Sequence, residues 1–272
     1  VLEIQTILLI SISIVAIEVA AGFIGNGFIT AVNIINWIKS KKISSADMIL
    51  IFLSTSRLIL QVTILMHIHS LYFADAFKLA SVYKAFGAVW MFANHASLWF
   101  STWLYVLYCV KIINVTQWLL LQIKLRIAGM VPWLLLGSLV ISSVTSLPFS
   151  TGNCIENSTA HITDWDSSYL YLLLLYFVGC FFPLVLSVVT SALLITSLRK
   201  HTKKMQSYVD TFRDPLIDVH LTVIKSIISF LILYLSSFVA QILLILSTSQ
   251  KHLKQYAFLP FFLHHSFSVN LI

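Results

Sequence analysis

The chain has 272 residues, 59% of them hydrophobic and only 10% charged, with 17 Lys and Arg against 10 Asp and Glu for a formal net charge of +7. A soluble domain of this length still shows water about a quarter of its unfolded surface, which this composition cannot cover with polar groups. The cations gather at the ends of apolar stretches without interleaved aromatic residues, which excludes nucleic acid as a partner and leaves an all-α bundle of membrane helices as the fold class.

A stretch of about 20 apolar residues spans the hydrocarbon as a helix, because a helix satisfies its own backbone where lipid offers no partner. The first such stretch is Thr6 to Val32. It has no basic segment or cleavage site ahead of it, so it is expected to insert as an uncleaved signal anchor. Glu18 lies within it, and Asn26 follows roughly 12 Å further along at 1.5 Å per residue. The second span, Met48 to Ser70, carries Arg57 flanked by Ser54 and Ser56. Both ionisable residues fall near the midplane, where Glu18, Asn26 and Arg57 read as a structural polar clamp in preference to a ligand site.

The third span, Ala85 to Val110, has Trp90, Asn94, Ser97, Ser101, Tyr105 and Tyr108 at spacings of three and four, which puts them on one face. A polar stripe on a membrane helix points inward. Its outer third joins the rigid indole of Trp90 to the amide of Asn94 and the neighbouring His95, the chemistry of a small-molecule cavity. The alternative is that Trp90 sits in the interfacial aromatic belt while Asn94 bonds a neighbouring helix. The remaining spans are Ile127 to Pro148, Tyr169 to Leu198, Leu221 to Ser247 and Tyr256 to Ile272. The last covers roughly 25 Å, so the seventh helix is expected to be cut short at the chain end.

Lys39, Lys41 and Lys42 follow span 1, Lys111, Lys124 and Arg126 lie between spans 3 and 4, and Arg199, Lys200, Lys203, Lys204 and Arg213 lie between spans 5 and 6. The other side has only Lys78, Lys84, Lys251 and Lys254. Cytoplasmic loops retain Lys and Arg, so the amino terminus is placed outside and the basic loops face anionic inner-leaflet lipid. Cys154 has no cysteine at the outer end of span 3 to pair with, and Cys109 and Cys180 are scattered, so neither a disulfide staple there nor a metal site is expected. The nine histidines form no catalytic motif, and no Gly-rich phosphate loop or Ser elbow occurs, so no enzyme and no cofactor is expected. Pro132, Pro183 and Pro260 do not occupy matching positions of two halves, which weighs against a transporter or channel.

Ordered motifs then carry a resemblance over nearly the whole chain. Glu18 precedes Gly25-Asn26-Gly27-Phe28-Ile29, the first inner loop runs from Trp37-Ile38-Lys39 to Ser44-Ser45-Ala46-Asp47, and span 2 continues to Leu53-Ser54-Thr55-Ser56-Arg57. Span 3 reads Asn94-His95-Ala96-Ser97-Leu98-Trp99 and ends in Tyr108-Cys109-Val110-Lys111-Ile112, while span 5 ends in Leu198-Arg199-Lys200-His201-Thr202-Lys203-Lys204. The chain resembles the type 2 taste receptor family of G-protein-coupled receptors, more closely than the type 1 vomeronasal receptors.

The resemblance implies a single seven-helix receptor domain over 1–272, multi-pass in the plasma membrane, that answers bitter small molecules. In that family the agonist enters from outside between helices 2, 3, 5, 6 and 7, where positions matching Trp90 and Asn94 are recurrent contacts. By position, His67, Tyr176, Ser237, Gln241 and Leu244 are also expected to face that space. Tyr108, Lys111, His201 and Lys204 match the inner surface that receives a heterotrimeric G protein with a gustducin-like alpha subunit. Asn157-Ser158-Thr159 is a glycosylation sequon in the second outer loop, where the family typically carries one.

Overall fold

The computed structural model describes residues 2–72, 80–112, 118–151 and 164–206, together with part of the stretch 222–239. All regular structure among these residues is helical: α1 (Leu2–Ser40), α2 (Ser45–Tyr72), α3 (Ala80–Ile112), α4 (Trp118–Thr151) and α5 (Asp164–Gln206), then helical turns within 222–239. The first five expected spans lie inside these five helices, and each helix overruns its span at both ends. The span expected from Leu221 to Ser247 is described only within 222–239, and the one from Tyr256 to Ile272 lies outside the described residues.

The turn between α1 and α2 shows why the helices stop where they do. Lys41 takes a left-handed φ of 53° just past the last turn of α1, and its N–H donates back to the carbonyl of Trp37 at 2.8 Å, an αL cap made without glycine. Three residues later Ser44 opens α2, its Oγ accepting the N–H of Asp47 at 3.1 Å. Asp47 adds negative charge in the first turn, where the helix dipole favours it.

Among the described helices four are long and apolar enough to cross a membrane: Ala16–Ser40, Ser45–Met66, Gly129–Leu147 and Phe177–Arg199. Their outward faces match. On α4 Trp133, Leu136, Val140, Val144 and Leu147 recur at helical spacing and are all exposed, Trp133 by 74%. In water such a stripe would demand a partner, whereas hydrocarbon solvates it directly.

α3 is long enough but too polar to join those four, and its position explains the difference. It stands at the centre, packed against α2, α4 and α5, so protein rather than lipid surrounds it. Its apolar flank supplies Ala96, Phe100 and Leu107 to the main core, which Ile49 and Leu53 of α2 and Ile127, Val131 and Leu135 of α4 complete. Phe100 meets Phe52 edge to face at 5.6 Å between ring centroids. Buried serines fill many of the remaining contacts, and most return their proton to a carbonyl one turn back, as Ser54 does to Leu50 and Ser138 to Leu134. A small side chain satisfied within its own helix lets backbones approach in a solvent where apolar burial alone brings helices together weakly.

Candidate functional site

The polar stripe foreseen on α3 is present and turned inward. Asn94 is fully buried, and Ser97 and Ser101 are nearly so. Ser97 Oγ donates to the carbonyl of Asn94 at 2.9 Å, and Ser101 Oγ donates to the carbonyl of Ser97 at 2.8 Å. These two bonds leave each hydroxyl oxygen open as an acceptor. Arg57 of α2 uses one of them, its Nη2 reaching Ser101 Oγ at 3.4 Å. At the upper end Trp90 packs with Met91, Leu98, Cys180 of α5 and Phe238. The stripe therefore has α2 on one flank and α5 with the 222–239 stretch on the other.

His95 goes elsewhere. Successive helical residues are about 100° apart, so a neighbour of Asn94 leaves the face that Asn94 occupies. The ring is fully buried, with Nδ1 2.7 Å from Thr145 Oγ1 of α4 and the backbone of Gly179 on α5 pressed against it. Below it, Thr102 Oγ1 meets Ser187 Oγ at 2.8 Å and the carbonyl of Pro183 at 3.2 Å. Trp103 Nε1 donates to Ser138 Oγ at 2.8 Å, with Trp99 stacked on it at 5.8 Å between ring centroids. This flank is a polar seam joining α3 to α4 and α5.

The three residues grouped as a clamp lie on α1 and α2. Asn26 donates to the carbonyl of Gly22 at 2.9 Å, within its own helix. Arg57, 6% exposed, turns toward Ser101 and lies within electrostatic reach of Tyr105. Glu18 is half-buried on α1. A direct tie between α1 and α2 comes from Thr30 Oγ1 and Ser54 Oγ, 2.6 Å apart.

At the other end of α3, Tyr108 is 38% exposed and Lys111 is exposed on the last turn. Nearby, Leu194 and Leu198 of α5 pack with Ile224 and Ile227, and Tyr105, Ile195 and Leu231 close over them. His67, Tyr176, His201 and Lys204 belong to the described helices, but their side chains lie outside the description, and Asn157, Ser237, Gln241 and Leu244 lie outside it altogether. A groove of about 380 Å³ runs between α4 and α5, lined by Val140, Ile141, Val144, Thr145, Leu174, Leu175 and Val178.

Among the residues of this geometry that escaped the sequence reading are Thr145, Gly179 and Ser187. Each is small and sits within an apolar stretch, the usual mark of a close helix crossing, and that signal was there to be used. Tyr234 is another, its hydroxyl donating to the carbonyl of Cys180 at 3.2 Å.

The sequence model of the family described as Taste receptor protein (TAS2R) matches residues 3–270. The chain is similar to Taste receptor type 2 member 40 of Gallus gallus, with 38% identity over 243 residues, 85% of this chain and 78% of that protein. It is similar also to Taste receptor type 2 member 39 of Macaca mulatta, 36% identical over 247 residues, covering 85% and 72% of the two chains. Member 39 of Homo sapiens is 36% identical over 246 residues, covering 84% and 71%.

Proposed function

Because the chain belongs to the type 2 taste receptor family, membrane receptors rather than enzymes, we propose that it binds bitter small molecules in an outward-facing cavity walled by Trp90 and Asn94 and passes the signal to a heterotrimeric G protein of the gustducin type. The observation that carries this reading is the inward polar face of α3: a rigid indole, a buried amide and two hydroxyls at the centre of a bundle whose outside is aliphatic. Polar groups are expensive at that depth, and a cavity that takes up amphiphilic ligands gives them work beyond packing.

The full arrangement in this proposal has seven spans, the amino terminus outside, and Asn157 glycosylated in the second outer loop. Agonist contacts beyond Trp90 and Asn94 come from His67, Tyr176, Ser237, Gln241 and Leu244. On the inner side Tyr108 and Lys111, with His201 and Lys204, receive the alpha subunit. Agonist and G protein both bind better to the arrangement in which α5 and the 222–239 stretch part at their inner ends, and that shared preference is the coupling.

The test is a calcium-flux assay at equal surface expression, using a library of chemically diverse bitter compounds. Trp90→Ala and Asn94→Ala are expected to weaken agonist potency tenfold or more, since a well-packed aromatic anchor is worth on the order of 2 kcal/mol. Potencies unchanged in both variants would remove the cavity from this face. Intact signalling in the Tyr108→Ala, Lys111→Ala double variant would remove the inner surface.

A further inference from the structure

The ring of His95 occupies the space a side chain at position 179 would need. A Cβ on Gly179 would stand 2.8 Å from Cε1, 2.9 Å from Nδ1 and 3.0 Å from Nε2 of that ring, closer than carbon atoms pack. The ring cannot simply swing aside. It is fully buried, and Nδ1 is held 2.7 Å from Thr145 Oγ1. Thr145 Oγ1 also stands 3.0 Å from the carbonyl of Ile141 and 3.2 Å from that of Ser142, so Nδ1 donates in the shared bond whenever the hydroxyl proton goes to its own helix. One imidazole is thus bonded to α4 and seated on α5, at the level where α3 presents Trp90 and Asn94.

We propose that His95 is a positioning residue: seated on the bare backbone of Gly179 and tethered to Thr145, it sets the rotation of α3 about its own axis and so the direction in which Asn94 and Trp90 face. The inference rests on reading the polar face of α3 as a cavity wall. Asn94 and His95 are consecutive, so any turn of the helix that moves the ring moves the amide by the same angle. The lower anchors, Thr102 with Ser187 and Trp103 with Ser138, lie two turns further along, while at the upper end the ring meets both α4 and α5 directly. Gly179 is required because any larger residue displaces the ring, and Thr145 because it fixes the ring's tilt.

The experiment reads the direction of α3 without an agonist. Ser97→Cys places a thiol on the stripe, and its rate of modification by 2-aminoethyl methanethiosulfonate, added from outside, is measured in the full receptor against the same receptor without that thiol. Gly179→Ala is expected to change the rate at least fivefold, and His95→Ala added to Gly179→Ala to bring it back toward the parent. Thr145→Ala adds no bulk and is the second route: it is expected to shift the rate, with His95→Ala adding nothing on top, while His95→Asn, which keeps a donor where Nδ1 stands, holds the parent rate. Thermal midpoints of the purified receptor give the same cycle independently, Gly179→Ala losing stability that His95→Ala partly restores. Rates and midpoints that add independently for positions 95 and 179 overturn the proposal. A parent thiol that never reacts strikes the cavity reading instead, and the midpoint cycle then decides the seat.

Discussion

Burying a guanidinium among membrane helices is tolerated only where polar groups wait for it, and Arg57 has Ser101 within reach and Tyr105 nearby. We read the charge as an assembly device, so Arg57→Ala is expected to lower surface delivery severalfold while leaving the rank order of agonist potencies unchanged, read by flow cytometry of an outer tag beside calcium flux. The polar seam and the apolar core differ in weight. Trp103→Phe removes the bond to Ser138 and is expected to cost about 0.6 kcal/mol, the usual worth of such a bond between membrane helices. Phe100→Ala empties the centre of the main core and is expected to cost about 3–5 kcal/mol, so thermal unfolding in detergent should separate the two variants widely. At this scale the sequence was only partly legible. Spacing put Asn94, Ser97 and Ser101 on one face, as found, but nothing in the string says that Thr145 and Gly179 stand opposite the neighbouring His95.

Elements were the most legible level, since apolar length and charge placement located the first five helices. Their ends were less so. Lys39 and Lys41 marked the end of α1, yet apolarity ran out at Val32 while the helix continued to Ser40, because hydrogen bonding persists past the point where side chains cease to be apolar. The turn that follows is held by backbone geometry and one hydroxyl. Ser44→Ala is expected to lose about 1 kcal/mol with the cap of α2, and Lys41→Gly to gain up to about 1 kcal/mol by relieving the left-handed conformation. Thermal midpoints of the two variants should therefore move in opposite directions. α3 was legible as a stripe but not as the hub, because period reveals which residues share a face and not which helix meets that face.

For the whole molecule, charge asymmetry predicts a sidedness that can be read biochemically. Asn157→Gln is expected to abolish a glycosidase-sensitive mass shift while leaving the fold intact, and a shift that survives the substitution would count against the proposed topology. The central place of α3 has a consequence during biogenesis. A segment carrying Asn94, His95, Ser97, Ser101 and Thr102 partitions into bilayer reluctantly by itself, whereas its neighbours on either side in the chain partition readily. Leaving the translocon is then expected to be cooperative for this segment, which should linger there until α4 has been synthesised, so a nascent polypeptide released just after Ile112 is expected to be degraded faster than one released after Thr151, as a pulse-chase would show.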